Sequence, residues 1–287
     1  MLCLAPSVIN GFFLINKSSG ITSAGVVKEI KKKFNLKKVG HLGTLDPLAS
    51  GLLILAVNKA TKLASLLLES HKSYLAEVTL GIQTDTDDAE GKILPSMPVN
   101  CSSDAIKKEL NNFLGESLQV PPVYSALKHK GRPMYKYARE GISVKKDARK
   151  INIYELKNID IKLPKVIFDI SCSKGTYIRS IARDLGLNLG CGAHLSGLVR
   201  TGQHQFLLED SCSIEDVNIE NLIVPEKIFE HLDQVYLNKI DSKDFLNGCK
   251  LQLEIKNNLL YRVYDDSRNF IAIGKKTDEG FQHEYLV

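Results

Sequence analysis

The apolar positions of this chain change period from segment to segment, and each period predicts an element. Residues 11–16 and 52–57 are short, nearly unbroken apolar runs, which reads as two strands, the second of them buried. Residues 74–80 alternate: Tyr74, Ala76, Val78 and Leu80 share one face, and Glu77 and Thr79 the other. Tyr74 is therefore expected on a packed face or in a cleft. Val26, Val27, Ile30 and Phe34 recur at helical spacing behind Ser23, the expected N-cap, and Lys28, Lys31, Lys32 and Lys33 cover the outer surface. Residues 60–68 and 104–114 read as further helices. Residues 166–173 alternate again. Lys174-Gly-Thr176 then turns the chain into a helix carrying Ile178, Ile181, Ala182 and Leu185, with Gly186 as its expected stop.

Beyond residue 235 the pattern shortens. Residues 251–255, 259–264 and 270–274 read as strands, with Asn257-Asn258 and residues 265–268 as turns. At 287 residues the chain exceeds one typical domain. It divides into a large domain over 1–235, with a basic insertion at 128–150, and a small β module over 236–287. Residues 1–16 carry no side-chain charge but lack the basic start of a signal peptide, and Pro6, Asn10 and Gly11 interrupt the apolar run. No segment offers about 18 uninterrupted apolar residues, so no membrane span is expected. The six cysteines form no Cys-x-x-Cys pair and have no zinc-ligand spacing. Scattered thiols fit a reducing compartment, and the expected location is the cytoplasm.

Charge narrows the partner only slightly. A net charge of +5 and a pI near 8.7 mildly favour a polyanion. Between 128 and 150, nine Lys or Arg face only Glu140 and Asp147, with Tyr124, Tyr135 and Tyr137 in or beside the stretch. A solvated excursion and a phosphate- and base-contacting surface fit this pattern equally well. The acidic run at 84–91 has Ala89 at a ligand position of a calcium loop and its glycine one place late, so it reads as a turn.

The densest chemistry lies at 40–51, Gly-His-Leu-Gly-Thr-Leu-Asp-Pro-Leu-Ala-Ser-Gly. Asp46 is its only acid, three glycines punctuate it, and His41 stands five residues earlier. This suits a rigid loop presenting one carboxylate, although Asp-Pro is also a common turn pair. Tyr74 on a strand and Arg179 at a helix start have equally ordinary structural readings when taken alone.

Taken in order, these segments resemble one family. The 40–51 loop, Lys72-Ser-Tyr74 and Ser173-Lys-Gly-Thr-Tyr177-Ile-Arg179 are similar to the three signature segments of the TruB family of tRNA pseudouridine synthases. Further matches follow at 84–88, 122–128 and 190–194, and the resemblance covers roughly residues 10 to 205. It implies an α+β fold: a mixed, mainly antiparallel central sheet flanked by helices, with a small C-terminal β module like a PUA RNA-binding tail. It implies isomerisation of uridine-55 in the tRNA T loop to pseudouridine, with no cofactor, no metal, no obligate protein partner and a monomeric enzyme. Asp46 matches the catalytic aspartate, Tyr74 the tyrosine that stacks on the target base, and Tyr177 and Arg179 active-site residues, the arginine paired to the aspartate. His41 matches the histidine that holds the flipped-out nucleotide. Lys17, Gly43, Lys128, Lys130, Arg132, Lys174, His194 and Arg200 would contact the substrate, the basic insertion acting as a clamp across the RNA. The chain departs from the family at Ser18, after Lys17, and at 201–206. A non-catalytic tRNA-binding or folding protein of the same architecture is the alternative. A glycosidase would need a second carboxylate across the bond, which the loop does not supply.

Overall fold

The computed structural model describes residues 9–68, 70–124, 128–129, 131–134, 137, 140 and 147–287. Its strands are β1 (Gly11–Lys17), β2 (Val39–His41), β3 (Ser50–Val57), β4 (Lys72–Leu80), β5 (Gly115–Gln119), β6 (Lys128–His129), β7 (Arg132–Pro133), β8 (Arg149–Lys162), β9 (Lys165–Cys172), β10 (Ala193–Gln203), β11 (Phe206–Leu207), β12 (Gln234–Tyr236), β13 (Leu260–Tyr264), β14 (Phe270–Thr277) and β15 (Gly280–Leu286). The main sheet runs β1-β3-β10-β4-β9-β8-β5, with β2 on β3 and β11 on β10. All its pairs are antiparallel except β3 with β10, so the fold is α+β with a mixed, mainly antiparallel sheet.

Burial explains the change of period. Strands β1 and β3 are covered on both faces and read as continuous apolar runs. One face carries Phe13, Ile15, Leu53 and Leu55 into a core shared with the helices Ser23–Lys33 and Ile178–Asn188. The other carries Phe12, Leu14, Leu52 and Ile54 against Phe206, Ile228, Phe229 and Ile273. Strand β4 is covered on one face only, so it alternates. Tyr74, Ala76, Val78 and Leu80 are buried, whereas Leu75 is exposed and Glu77 pairs with Lys165 at 2.9 Å.

Several expected boundaries move. Thr22, not Ser23, caps the first helix, its hydroxyl accepting from Gly25 N–H at 2.9 Å. The expected 60–68 helix is a 3-10 turn, Asn58–Lys62, followed by Ala64–Leu68. The expected 104–114 helix is Ser103–Asn111. In the tail only Leu251 bridges to Phe281, so residues 251–255 form no strand, and β15 fills that edge instead. Strand β12 pairs in parallel with β13, so residues 234–235 already belong to the small sheet β12-β13-β14-β15. The tail docks on the large domain through Ile273, through Ser65 Oγ to Tyr285 OH at 2.9 Å, and through Lys59 Nζ donating to the Val287 carbonyl at 3.0 Å. Part of the 128–150 insertion, Lys130 included, lies outside the described residues. Across β6 and β7, Lys128 lies opposite Pro133 and Arg132 opposite His129.

Gly186 does not stop its helix, which continues to Asn188 and ends at Gly190 in the left-handed region (φ 70°). Gly186 is there because β10 crosses the helix at contact distance: a Cβ at this position would lie 2.1 Å from Ala193 N. Gly186→Ala is therefore expected to lower the thermal midpoint, although alanine is favoured in helices by about 1 kcal/mol. A raised midpoint would refute this account.

Candidate active site

The Asp46 loop leaves β2 and re-enters the sheet at β3, and main-chain hydrogen bonds fix it from both sides. On one side Gly20 N–H donates to Pro47 O at 2.8 Å, Ser19 Oγ donates to Leu48 O at 2.8 Å, and Lys17 Nζ reaches Ile21 O, Ser18 O and Pro47 O at 2.7, 3.0 and 3.4 Å. Ser23, released from capping, donates to Leu45 O and accepts from Leu45 N–H, each at 2.8 Å. On the other side Arg200 donates from Nε to Leu52 O at 2.6 Å and from Nη2 to Gly43 O at 3.1 Å, and Gln203 Nε2 donates to Leu42 O at 2.7 Å. Gly51 closes the loop at φ 100°, where β3 meets β10, and a Cβ there would lie 2.4 Å from the Arg200 carbonyl.

This scaffold presents the Asp46 carboxyl to a cleft of about 320 Å³, small among ligand pockets. Gly43, Tyr74, Lys174, Tyr177, Arg179 and Arg200 share its lining, with Lys72 and Leu198. Arg179 opens the Ile178–Asn188 helix and spends its fork on two acids: Nη2 lies 3.0 Å from Asp46 and Nη1 3.3 Å from Asp88. It also donates to Thr86 O at 3.1 Å and Tyr124 O at 2.9 Å. Tyr177, just before that helix, is held by Gln119, which accepts from its N–H at 2.8 Å and donates to its carbonyl at 3.1 Å.

The electrostatics follow from this packing. Burial pushes the Asp46 carboxyl up from 3.8, Arg179 opposes it most strongly, and the Asp88 charge adds to the rise. Burial lifts the Tyr74 hydroxyl to about 12 against the pull of Arg200. Burial lowers Lys17 to about 8, with the Asp46 charge pulling the other way. His41, half-buried on β2, is held below 6.5 by burial and then by Arg200, so it is a neutral imidazole at pH 7.

The structure brings only some of the sequence-predicted residues together, and His41 does not line the cleft. Asp46, Tyr74, Tyr177, Arg179, Gly43, Lys174 and Arg200 meet at the cleft. Arg200 and Lys17 are nevertheless fully buried, and both grip carbonyls of the loop. His194 is buried beneath the 84–91 loop, its Nδ1 2.8 Å from Ile82 O, and does not line the cleft. The 40–51 loop supplies one acid, but the fold brings in Asp88 and also Glu90, whose carboxyl is raised by burial and then by Asp88 and Asp46. The 84–91 turn is thus the clamp on Arg179. Its Asp-Thr-Asp-Asp pattern was legible, but not that Asp88 would be 4% exposed. Gln119 gave no sequence signal. Among the described residues, no group of three His, Cys, Asp or Glu side chains is arranged to hold a metal, and no helix is long and apolar enough to cross a membrane.

Known proteins resemble this chain in sequence and in fold. Residues 31–178 match the family model described as TruB family pseudouridylate synthase (N terminal domain), and residues 179–240 match the tRNA pseudouridylate synthase B C-terminal domain. The class is therefore that of the pseudouridylate synthases, which are isomerases. Within it, the chain belongs to the TruB family. It is 42% identical over 278 residues to the tRNA pseudouridine synthase B of Hydrogenovibrio crunogenus, covering 94% of this chain and 91% of that one. It is 43% identical over 283 residues to the protein of that name from Clostridium acetobutylicum, covering 96% and 98%. A solved chain titled "Crystal Structure of a Cbf5-Nop10-Gar1 Complex" superposes with a TM-score of 0.71 at 28% identity, covering 96% of this chain and 84% of that one.

Arg179→Met would leave a buried Asp88 and a recessed Asp46 without their cation. The expected cost is about 3–5 kcal/mol in chemical denaturation. The Asp46 carboxyl, already raised above 3.8 by burial, would then lose the strongest pull against that rise. The variant's relative stability should fall as pH rises from about 4 to about 7. Stability equal to the wild type across that range would show the ion pairs to be idle.

Proposed function

We propose that this enzyme isomerises uridine-55 in the T loop of tRNA to pseudouridine, with Asp46 as nucleophile on a flipped-out nucleotide. The observation that carries the reading is the Asp46 carboxylate, open to the cleft and held at 3.0 Å by Arg179. A nucleophilic carboxylate must be ionised. Arg179 is a guanidinium that stays charged, so it opposes the desolvation that would protonate the acid.

The reaction breaks the N-glycosidic bond, turns the uracil while it stays bound, joins C5 to C1′, and removes the C5 proton. The carboxylate serves either route, by attack on C1′ or on C6. Tyr74 forms the cleft wall on which the freed base stacks. Its hydroxyl, at about 12, is protonated at neutral pH, which favours stacking and hydrogen bonding over action as a free base. Tyr177 supports the same pocket. A base inside a helix cannot reach Asp46, so the nucleotide must leave the stack, at a cost of a few kcal/mol. Stacking worth about 1–3 kcal/mol per base offsets this. His41, neutral and beside Gly43, acts as the wedge that holds the flipped nucleotide. Lys174 at the cleft mouth, His194, and the Lys128, Lys130 and Arg132 insertion add backbone contacts, while Lys17 and Arg200 act through the loop they hold. The small C-terminal sheet is read as a PUA-like RNA-binding tail, and the enzyme as a cytoplasmic monomer needing neither cofactor nor metal.

Incubating a T-arm stem–loop RNA with wild type and Asp46→Asn, then mapping pseudouridine chemically, tests the nucleophile. The variant should form no product, and product at the wild-type rate would sink the assignment. The wild-type rate should fall on the acid side at a pH above 3.8, because burial raises the Asp46 carboxyl from that value. An acid limb at or below it would contradict the role. Neutralising Lys128, Lys130 and Arg132 together should weaken RNA binding and flatten its logarithmic salt slope by roughly 0.7 per lost phosphate contact. An unchanged slope would make the insertion a solvated excursion.

A further inference from the structure

The cysteines are scattered along the sequence, but the fold brings two of them together. The Cys101 and Cys191 side chains are in hydrogen-bonding contact, and both are free thiols. Neither lines the catalytic cleft.

Three segments meet around the pair. Leaving the 84–91 turn, residues 92–101 run back beside the end of β4. Leu94 N–H donates to Gln83 O and Met97 N–H to Gly81 O, each at 2.9 Å. Val99 packs so closely on Gly81 that a Cβ there would lie 2.8 Å from its Cγ2. From the other side Gly81 N–H donates to Gly192 O at 2.8 Å. Gly81 thus lies between the two segments that carry the thiols.

Both thiols sit on fixed backbone. Ser102, next to Cys101, caps the helix Ser103–Asn111, its hydroxyl accepting from Ala105 N–H at 3.2 Å. Cys191 N–H donates to Gly186 O at 3.1 Å, at the end of the Ile178–Asn188 helix. Asn188 Nδ2 donates to Glu109 Oε1 at 2.5 Å, so the two helices are already tied to each other. The thiols differ in access. Cys191 is 2% exposed, whereas Cys101 is half-buried at the edge of the core. An oxidant in solution therefore meets Cys101 first, with Cys191 in place behind it. A reachable thiol beside a second one is the arrangement of a redox-sensitive pair.

We propose that Cys101 and Cys191 form a modification site, which a hydroperoxide converts to a reversible disulfide clasping residues 92–101 to the turn before β10. The Cys101 sulfur attacks a peroxide oxygen: the S–O bond forms, the O–O bond breaks, and the other oxygen leaves as water. The Cys191 sulfur then attacks Cys101: the S–S bond forms, the S–O bond breaks, and the hydroxyl leaves with the Cys191 proton as water. The two thiols give up two electrons and two protons, and the peroxide takes them. A small dithiol reverses the bond by exchange.

The clasp bears on the acid that holds Arg179. From Cys191 the chain enters β10 and reaches Leu195. There Leu195 N–H donates to Asp87 O and Leu195 O accepts from Ala89 N–H, each at 3.0 Å, on either side of Asp88. The disulfide would join the exit of the 84–91 turn to the strand that grips its middle. It would also close a loop of chain containing β8, β9 and the Ile178–Asn188 helix, which restricts the unfolded state.

The test exposes the reduced full-length protein to hydrogen peroxide, blocks the remaining thiols with N-ethylmaleimide and maps the non-reduced peptides by mass. Wild type and Cys249→Ser should both give a peptide joining Cys101 to Cys191, lighter by two hydrogens than the reduced pair and lost on dithiothreitol. Cys101→Ser should give none and leave Cys191 reduced. The wild-type map decides the site by itself if a variant fails to fold. Oxidised wild type should melt several degrees above reduced wild type, a gap absent from Cys101→Ser. Oxidation of Cys101 to the sulfinate with Cys191 untouched, or cross-links through other cysteines alone, overturns the site. A Cys101–Cys191 cross-link that leaves the midpoint unmoved overturns the clasp.

Discussion

One guanidinium holds the site together. Arg179 lies between Asp46 and Asp88 and donates to two carbonyls besides. Each acid alone would be costly in its recess, since burial disfavours the charged form. A planar fork can satisfy two carboxylates in fixed directions, which an ammonium cannot. The 84–91 turn, the start of the Ile178–Asn188 helix and the 40–51 loop are thus bound to one another through a single side chain. The position of the Asp46 carboxyl follows from that geometry.

Two further cations, Lys17 and Arg200, are buried around the same loop without facing bulk water. Their protons go mainly to main-chain carbonyls, so they hold the loop by its backbone, while its Leu42 and Leu45 side chains pack into the cores. This leaves Asp46 as the group free to face a substrate. It also sets the local charge, since Lys17 attracts Asp46 while Arg200 acts on Tyr74 and His41.

The sequence carried much of this design, and the reasons for the rest are physical. Periodicity located β1, β3, β4 and β9, because burial on one or both faces writes itself into alternation or continuity. It did not distinguish Thr22 from Ser23 as the cap, since either hydroxyl suits the position, and only the fold shows that Ser23 is occupied by Leu45. Gly186 reads as a helix stop, yet it answers to the chain folding back against the helix at Gly192 and Ala193. Strand β8, with β5 on one side and β9 on the other, carries exposed polar residues along most of its length and left little signal. Asp46, Tyr74, Tyr177 and Arg179 were legible through their motifs. Asp88 sat in a recognised segment, but its burial and its partner depend on residues about 90 positions away.

The parallel contact between β3 and β10 also bears on how the protein is made. Arg200 reaches Leu52 and Gly43, and Gln203 reaches Leu42, across sequence separations of 148 to 161 residues. During synthesis Asp46 emerges early, but the struts that set its loop emerge only after most of the large domain. Contacts of such long range form late, after the entropy of closing the intervening chain has been overcome. A nascent chain therefore holds Asp46 long before it holds the geometry around it, and the site is complete only with the closing of the sheet.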